Sequence, residues 1–350
     1  MVSKIKKIIL LGYIVINGSL MAQDLHFSQF YNAPLTTNPA NTGLFNGDLR
    51  AYTMYRMQWL TVATPYKTIS LSVDAPIFRQ RMHDDDFFAI GLNINNDGQG
   101  DINYMTNSFN ALGSFTKYLG GRRSDNDITI GYEIGYSMIT ANTSKLTWDS
   151  NYDPVTATYN PGGAWNESYG GGGTGFIDMS TGFVWNLTSE RLFRSALGIS
   201  YHHFLSPNIS INSGNDRLLP KLGVQWNAAF KPNDRGAVEI LPSVMAARQG
   251  TSLLVNGGFN VKFVLGQASR YTGYRNYKAL YVGAFYRLRD AAYVTFRFDY
   301  SNFTFGFAYD VNISKLTPAS KTVGGFEFML QYRGAFGKHK RMRRESIRFI

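Results

Sequence analysis

The chain contains no cysteine, which excludes a disulfide framework, a thiolate metal centre and a lipid-anchor cysteine. Charge is scarce: Asp, Glu, Lys and Arg make up 17% of 350 residues. Long hydrophobic runs are missing as well. The run Ile8 to Ile16 reaches only about half of the ~20 apolar residues that a membrane helix needs. Helical periodicity is nearly absent after residue 45. What the chain has instead is 35 glycines and 47 Phe plus Tyr (25 + 22). A composition rich in aromatics and glycine but poor in charge belongs to neither a cytosolic enzyme nor a helical membrane protein. The length leaves room for one large β domain or two to three ordinary ones.

The first residues set the compartment. Lys4, Lys6 and Lys7 precede the apolar run, and "NGSLMA" leads to Gln23. This basic, apolar, small-residue order predicts a secretory signal peptide over 1–22. Cleavage after Ala22 would lower the net charge from +11 to +8 (11 − 3).

From Ala51 onward, apolar or aromatic side chains recur at every second position. In "DITIGYEIGYSMITA", Ile128, Ile130, Tyr132, Ile134, Tyr136 and Met138 alternate with small or polar residues, among them Glu133. Period two means a strand, with successive side chains on opposite faces. Comparable segments start near Ala51, Ile69, Phe88, Phe109, Ile177, Phe193, Leu222, Val238, Leu253, Leu280, Ala292, Phe303 and Phe326. About fourteen segments of roughly ten residues predict an all-β fold, a transmembrane antiparallel β-barrel in an outer membrane. The opposite register carries Arg56, Glu133, Asp178, Lys221, Glu239, Arg297 and Glu327, among others. An Arg or Lys at the lipid midplane costs roughly 2–4 kcal/mol, whereas a lumen position is nearly free, so the charged register should face the lumen and the Ile and Tyr side the lipid. A lumen of this size is too wide for wall side chains alone to fill. The barrel is expected over 47–333.

The segment 23–46 is the candidate to narrow it. "QDLHFSQFYNAPLTTNPANTG" has no clean period, contains Pro34 and Pro39, and is too apolar for a free tail. It is expected to lie within or across the periplasmic mouth, with Phe27 and Phe30 as anchors. This segment, with Phe27-Ser28-Gln29-Phe30, Pro34 and Asn38-Pro39-Ala40 before Gly43, resembles the N-terminus of the PorP/SprF family of Bacteroidota type IX secretion. The similarity continues through "APIF", "HHFLSPNIS", "RLLPKLGV", "ILPSVMAARQG", "VGAFYRLRDA", "FGFAYDVNISKL" and "GGFEFMLQY", in collinear order. The resemblance implies an outer-membrane role in protein secretion, cell-surface adhesins or gliding motility, without catalytic chemistry. The chain departs from it after "QYRGAFG", where a basic tail, 334–350, follows.

Chemistry-bearing patterns are sparse, and no catalytic, metal or cofactor site is expected. The five histidines (26, 83, 202, 203 and 339) have no spacing partner, and His202 and His203 should face opposite sides of one strand. "NINNDG" begins like a calcium loop, but Tyr104 stands where a bidentate Glu is needed, and "NNDG" suits a hairpin turn. "YGGGGTGF" lacks a following Lys-Ser/Thr. Asp84, Asp85 and Asp86 read as a solvated turn.

Two stretches point to partners. The connection 142–175 holds Trp148, Tyr152, Tyr159, Trp165 and Tyr169 among Gly, Asn and Asp, a composition suited to protein binding or to packing over the barrel mouth. The tail places Lys338, Lys340, Arg341, Arg343, Arg344 and Arg348 against Glu345, a docking arm for an acidic periplasmic partner or a solvated, lipid-gripping end. An even-stranded barrel should keep Gln23 and the C-terminus in the periplasm and the long connections outside. The resemblance implies that the barrel binds a secreted type IX cargo or adhesin, with other secretion or gliding components and outer-membrane lipid as further partners and no nucleic acid. Barrel physics alone leaves open a porin or ligand channel of FadL-like size.

Overall fold

A computed structural model describes residues 24–334 apart from 62–63, 79–81, 83–85, 101, 121–123, 143–151, 154–155, 157, 160–171, 190–191, 212–213, 233–236, 267–276 and 315–316. The predicted signal peptide and all six cations proposed for the tail therefore lie outside the described residues.

The alternating segments all become strands of one closed antiparallel barrel of fourteen strands. In chain order these are β1 (Leu49–Gln58), β2 (Tyr66–Ile77), β3 (Phe87–Gln99), β4 (Tyr104–Tyr118) and β5 (Ser124–Thr140). A two-strand hairpin, β6 (Tyr152–Asp153) and β7 (Thr158–Tyr159), stands in the long connection outside the barrel sheet. The wall continues with β8 (Gly173–Ser189), β9 (Phe193–His202), β10 (Lys221–Phe230), β11 (Val238–Gln249), β12 (Ser252–Gly266) and β13 (Lys278–Arg287). It ends with β14 (Ala291–Tyr300), β15 (Phe303–Asn312) and β16 (Val323–Gly334). β1 closes on β16 from Leu49 against Gly334 to Gln58 against Gly325, so neither strand edge is left open.

Alternation decides which face meets lipid. Ile130, Ile134 and Tyr136 are exposed on the outside of β5, while Thr129, Ser137 and Ile139 in the opposite register are buried inside. The same outward band carries Leu71, Ile90, Leu92, Ile177, Phe296 and Phe305. A continuous apolar belt of this kind is stable only against hydrocarbon. β5 and β8 are paired over all 17 of their residues, beyond the ~9–11 that a tilted spanning strand needs. Their excess length carries that wall past the membrane.

Antiparallel order gives the barrel two distinct ends. One end, here the loop end, holds the connections 141–172 and 203–220. The other holds Leu49 and Gly334 and is the terminal-strand end. Three local expectations need correction. "NNDG" is not a turn: Asn95 to Gly98 continue β3, and the chain reverses at 100–103 through Gly100 (φ 64°) and Asn103 (φ 47°). His202 and His203 do not face opposite sides. β9 stops at His202, and His203 takes a left-handed φ of 59°, which turns its ring inward to 6.2 Å from that of His202. The third concerns the N-terminal segment. It does not begin at the end where the barrel strands begin and finish, because Asp24 lies at the loop end against Lys221 and Gln249.

Candidate functional site: a lumen filled by the N-terminal segment

Residues 24–48 run down the lumen from the loop end to the terminal-strand end. Pro34 and Pro39 each start a short helical turn, Pro34–Thr37 and Pro39–Asn41, at the helix-initial position where a missing N–H costs nothing. With the turn Phe30–Asn32 before them, they fold the segment into a compact body whose apolar side chains face the wall. Phe27 is buried with Ala33, Leu35, Tyr52, Met54 and Met329. Phe30 is buried with Tyr31, Met245, Phe285 and Tyr293. Tyr31 stacks on Phe285 at 5.2 Å, and Phe285 stacks on Tyr293 at 5.3 Å.

The wall is shaped to receive this body. Gly131 of β5 and Gly182 of β8 are cross-strand partners on the luminal face. A Cβ at Gly131 would stand 2.4 Å from the Ala40 nitrogen, and one at Gly182 would stand 1.9 Å from Asn38 Oδ1. The bare backbone is therefore a seat for the Asn38–Ala40 turn. Asn38 Nδ2 donates to the carbonyls of Phe183 and Ile199, both at 3.2 Å, while its Oδ1 accepts from the Ala40 N–H at 2.9 Å.

Luminal charges hold the segment at three heights. At the loop end, Asp24 pairs with Lys221 and lies 3.2 Å from His203 Nε2, whose Nδ1 lies 2.6 Å from Asp178. Burial pushes the His203 imidazole down, but the Asp24 charge and the hydrogen bonds to Asp178 and Asp24 outweigh it and raise its pKa to about 9. Burial raises the Asp24 carboxyl, and Lys221 and His203 more than reverse this, holding it well below the usual range. Next in the chain, burial holds His26 far below its ordinary value and so neutral, with the charges of Arg56 and Arg287 acting in the same direction.

Glu327 accepts from the backbone N–H groups of Ser28 (2.5 Å) and Gln29 (2.9 Å) and pairs with Arg56 at 3.4 Å. Arg56 also donates to the His26 carbonyl. Ser28 Oγ donates to Asp310 at 2.7 Å and accepts from Arg287 at 2.8 Å, and Arg287 pairs with Asp310 at 2.9 Å. Toward the terminal-strand end, Arg50 grips Asp74 through two bonds, Nε–Oδ1 at 2.9 Å and Nη2–Oδ2 at 2.8 Å. Asp74 also accepts from the Gly43 N–H at 2.7 Å, and the guanidinium of Arg50 lies over the Phe45 ring at 4.7 Å. Gly43 has φ 74°, and a Cβ there would stand 2.3 Å from that of Ala89. A cavity of about 60 Å³ remains beside the segment, between Phe27 and Phe30 on one side and β9–β12 on the other. It has room for about four to six waters.

Of the predicted site residues, Phe27 and Phe30 are thus packed in the lumen interior. Tyr152 and Tyr159 are backbone partners in the β6–β7 hairpin, and the Tyr152 side chain is exposed. Trp148, Trp165, Tyr169 and the tail cations Lys338, Lys340, Arg341, Arg343, Arg344 and Arg348 lie outside the described residues. Glu133 accepts from Ser180 at 3.2 Å on the luminal side. Among the described residues no group of three or more His, Asp or Glu could hold a metal ion. Sequence reasoning missed the glycine seat and the Glu327 clamp. The one available signal for the clamp was a glutamate in the luminal register of the final strand.

Solved outer-membrane barrels share the architecture. The Ralstonia pickettii toluene transporter TbuX is 12% identical, with a TM-score of 0.45 over 87% of this chain and 94% of its own. A TodX monoaromatic hydrocarbon channel lacking S2 and S3 is 10% identical, with a TM-score of 0.50 over 87% and 94%. A Pseudomonas aeruginosa FadL homologue is 10% identical, with a TM-score of 0.43 over 90% and 94%. At 10% identity the likeness to the TodX channel is one of fold. No match was found among curated proteins. The profile described as "Type IX secretion system membrane protein PorP/SprF" matches residues 19–332, which includes the luminal segment and nearly the whole wall. This outer-membrane barrel belongs to the PorP/SprF family of type IX secretion system membrane proteins.

Proposed function

We propose that this chain is a non-enzymatic platform of type IX secretion rather than a conduit. Its loop end faces outward and holds a secreted cargo or adhesin at the cell surface through the cargo's C-terminal signal domain. Its terminal-strand end meets periplasmic secretion or gliding components. The observation that carries this reading is the lumen, occupied along its height by the chain's own residues 24–48, which buried ion pairs pin there. A barrel closed in this way acts by what it binds. The exposed Tyr152 and the other aromatics proposed for the 142–175 connection are the candidate cargo contacts, and the export of the chain by a cleaved signal peptide belongs to the same proposal.

The test is affinity purification of the tagged full chain from solubilised membranes after cross-linking, together with planar-bilayer recordings. The expected result is a co-purified secreted protein, lost on combined Trp148→Ala, Tyr152→Ala and Trp165→Ala substitution, and a barrel without large steady openings. Large steady conductance with no co-purified secreted protein would replace the platform with a channel.

A further inference from the structure

The luminal charges beside the lower plug differ in kind from those that hold it. On the wall from β9 to β16, at the terminal-strand end, Arg194, Lys231 and Lys262 converge on one carboxylate, Glu239, at 3.0–3.1 Å. On the same wall Arg297 and Arg333 share Asp299 at 3.5 and 3.6 Å. Among the described residues this lobe has five cations and two carboxylates, a net charge of +3 (5 − 2). Tyr281 joins the two sets: the Arg297 guanidinium lies 3.7 Å from its ring centroid and Lys262 Nζ 5.7 Å. The five cationic side chains keep 11–24% of their surface open. The plug touches this lobe from above, where Arg297 donates to Asn32 Oδ1 at 3.2 Å. Its lower part, residues 38–45, seats mainly on other strands, with Ala40 at Gly131 and Gly43 at Ala89. This part meets β9 and β10 through the Ile199 carbonyl and Gln225, not through the lobe cations.

We propose that this lobe is a binding site for an acidic, extended segment of a partner protein that enters from the terminal-strand end. Among the described residues, three cations on one carboxylate and two on another leave positive charge that an incoming anion would balance, in a concave site where field lines are focused. Two of the cations from each side are arginine or face an aromatic ring, which suits carboxylates. The geometry favours a chain over a small anion. Glu239 on β11 and Asp299 on β14 mark two cation sets three strands apart, about 14 Å at ~4.8 Å per strand. An extended peptide covers that distance in about four residues. The matching segment carries two acidic positions spaced by about four. Apart from the Arg297–Asn32 contact the site makes no use of the groups that hold the plug, and the proposal stands whether or not the loop end carries cargo.

The test uses the purified full chain in detergent micelles. Three probes are titrated: a fluorescent twelve-residue peptide with Glu pairs four residues apart, the same peptide with Gln for Glu, and pyrophosphate. The double variant Lys231→Gln/Arg333→Gln leaves Glu239 and Asp299 with partners while lowering the lobe charge to +1 (3 − 2). It is expected to bind the Glu peptide about tenfold more weakly, the size expected for two partly exposed charges. Lys278→Gln removes an outward cation of β13, which lies over Tyr300, and is expected to change nothing. Raised salt should weaken the wild-type complex, and pyrophosphate should compete poorly. Equal binding by the double variant, including binding through the unaltered basic tail, would overturn the proposal. So would equal binding of the Gln peptide, or complete displacement by pyrophosphate at peptide-like concentrations, which would indicate a small-anion site instead. Heat-modified gel migration of each variant separates a lost site from a lost barrel.

Discussion

The lumen has two halves that use charge in opposite ways. Around the plug, the Arg50–Asp74, Arg56–Glu327 and Arg287–Asp310 pairs have side chains that are 0–6% exposed. Among the described residues none of these carboxylates is shared between cations, while Arg287 also reaches Asp290. Each pair also holds backbone or hydroxyl groups of residues 28, 29 or 43. In the basic lobe beside the lower plug, cations outnumber carboxylates and stay in contact with water. Dry, neutral pairs fix a geometry, because losing either partner strands the other charge. Wet, unbalanced ones are nearly free to exchange partners. The same residue types thus seal one half of the barrel and leave the other receptive.

The sharpest way to break this contrast is to remove one carboxylate from the dry half. Glu327→Gln keeps the shape but leaves Arg56 without its charge partner and weakens two backbone contacts to Ser28 and Gln29. The expected cost is about 3–5 kcal/mol of plug attachment, read as new protease cleavage within residues 24–36 and as larger single-channel openings. Lys231→Gln in the wet half should cost less than ~1 kcal/mol and leave both readouts unchanged. Similar effects from the two substitutions would erase the distinction between the halves.

The glycine seat tests shape in place of charge. At Gly131→Ala the new Cβ meets plug backbone at 2.4 Å, so the Asn38–Ala40 turn has to lift. An overpacked contact of this kind costs about 1–3 kcal/mol. The loss should appear as a lower thermal midpoint and faster amide exchange over 38–43. Gly113→Ala, with nothing within 4 Å of its Cβ, is the matched control and should be silent.

The wall was legible in the sequence and the plug's path was not, for one physical reason. Barrel strands announce themselves locally, because lipid on one side and lumen on the other force a period of two. Ile130, Glu133 and Ile134 are enough to orient β5. Residues 24–48 obey no period, since they are buried on all sides and are held by contacts from far along the chain. Ser28 and Glu327 are 299 positions apart. Gly131 and Gly182 read in sequence as ordinary small luminal residues, and nothing local says that a turn sits on them. His203 escaped for a different reason: alternation holds only while the strand lasts, and one left-handed residue at its end reversed the expected side.

The smallest predicted effect lies at the loop end of the plug, where Asp24, still 27% exposed, meets Lys221 and His203. His203 faces Asp24 and Asp178, with Lys221, His202 and Glu133 also acting on the cluster. Because its pKa is raised from 6.5 to about 9, protonated His203 adds to the latch. That contribution is complete below about pH 6.5 and is lost as pH rises through about 9. Asp24, shifted down, acts in the other direction and matters only in acid, where the latch weakens as its carboxyl protonates. Between pH 6 and 10, then, the segment near Asp24 should loosen while the Glu327 clamp below holds. A fluorophore placed at residue 25 should gain mobility across this range in the otherwise unaltered chain. His203→Asn should abolish the pH dependence and leave the mobility at its high-pH level throughout. A flat profile in the unaltered chain would assign the latch to the Asp24–Lys221 pair alone.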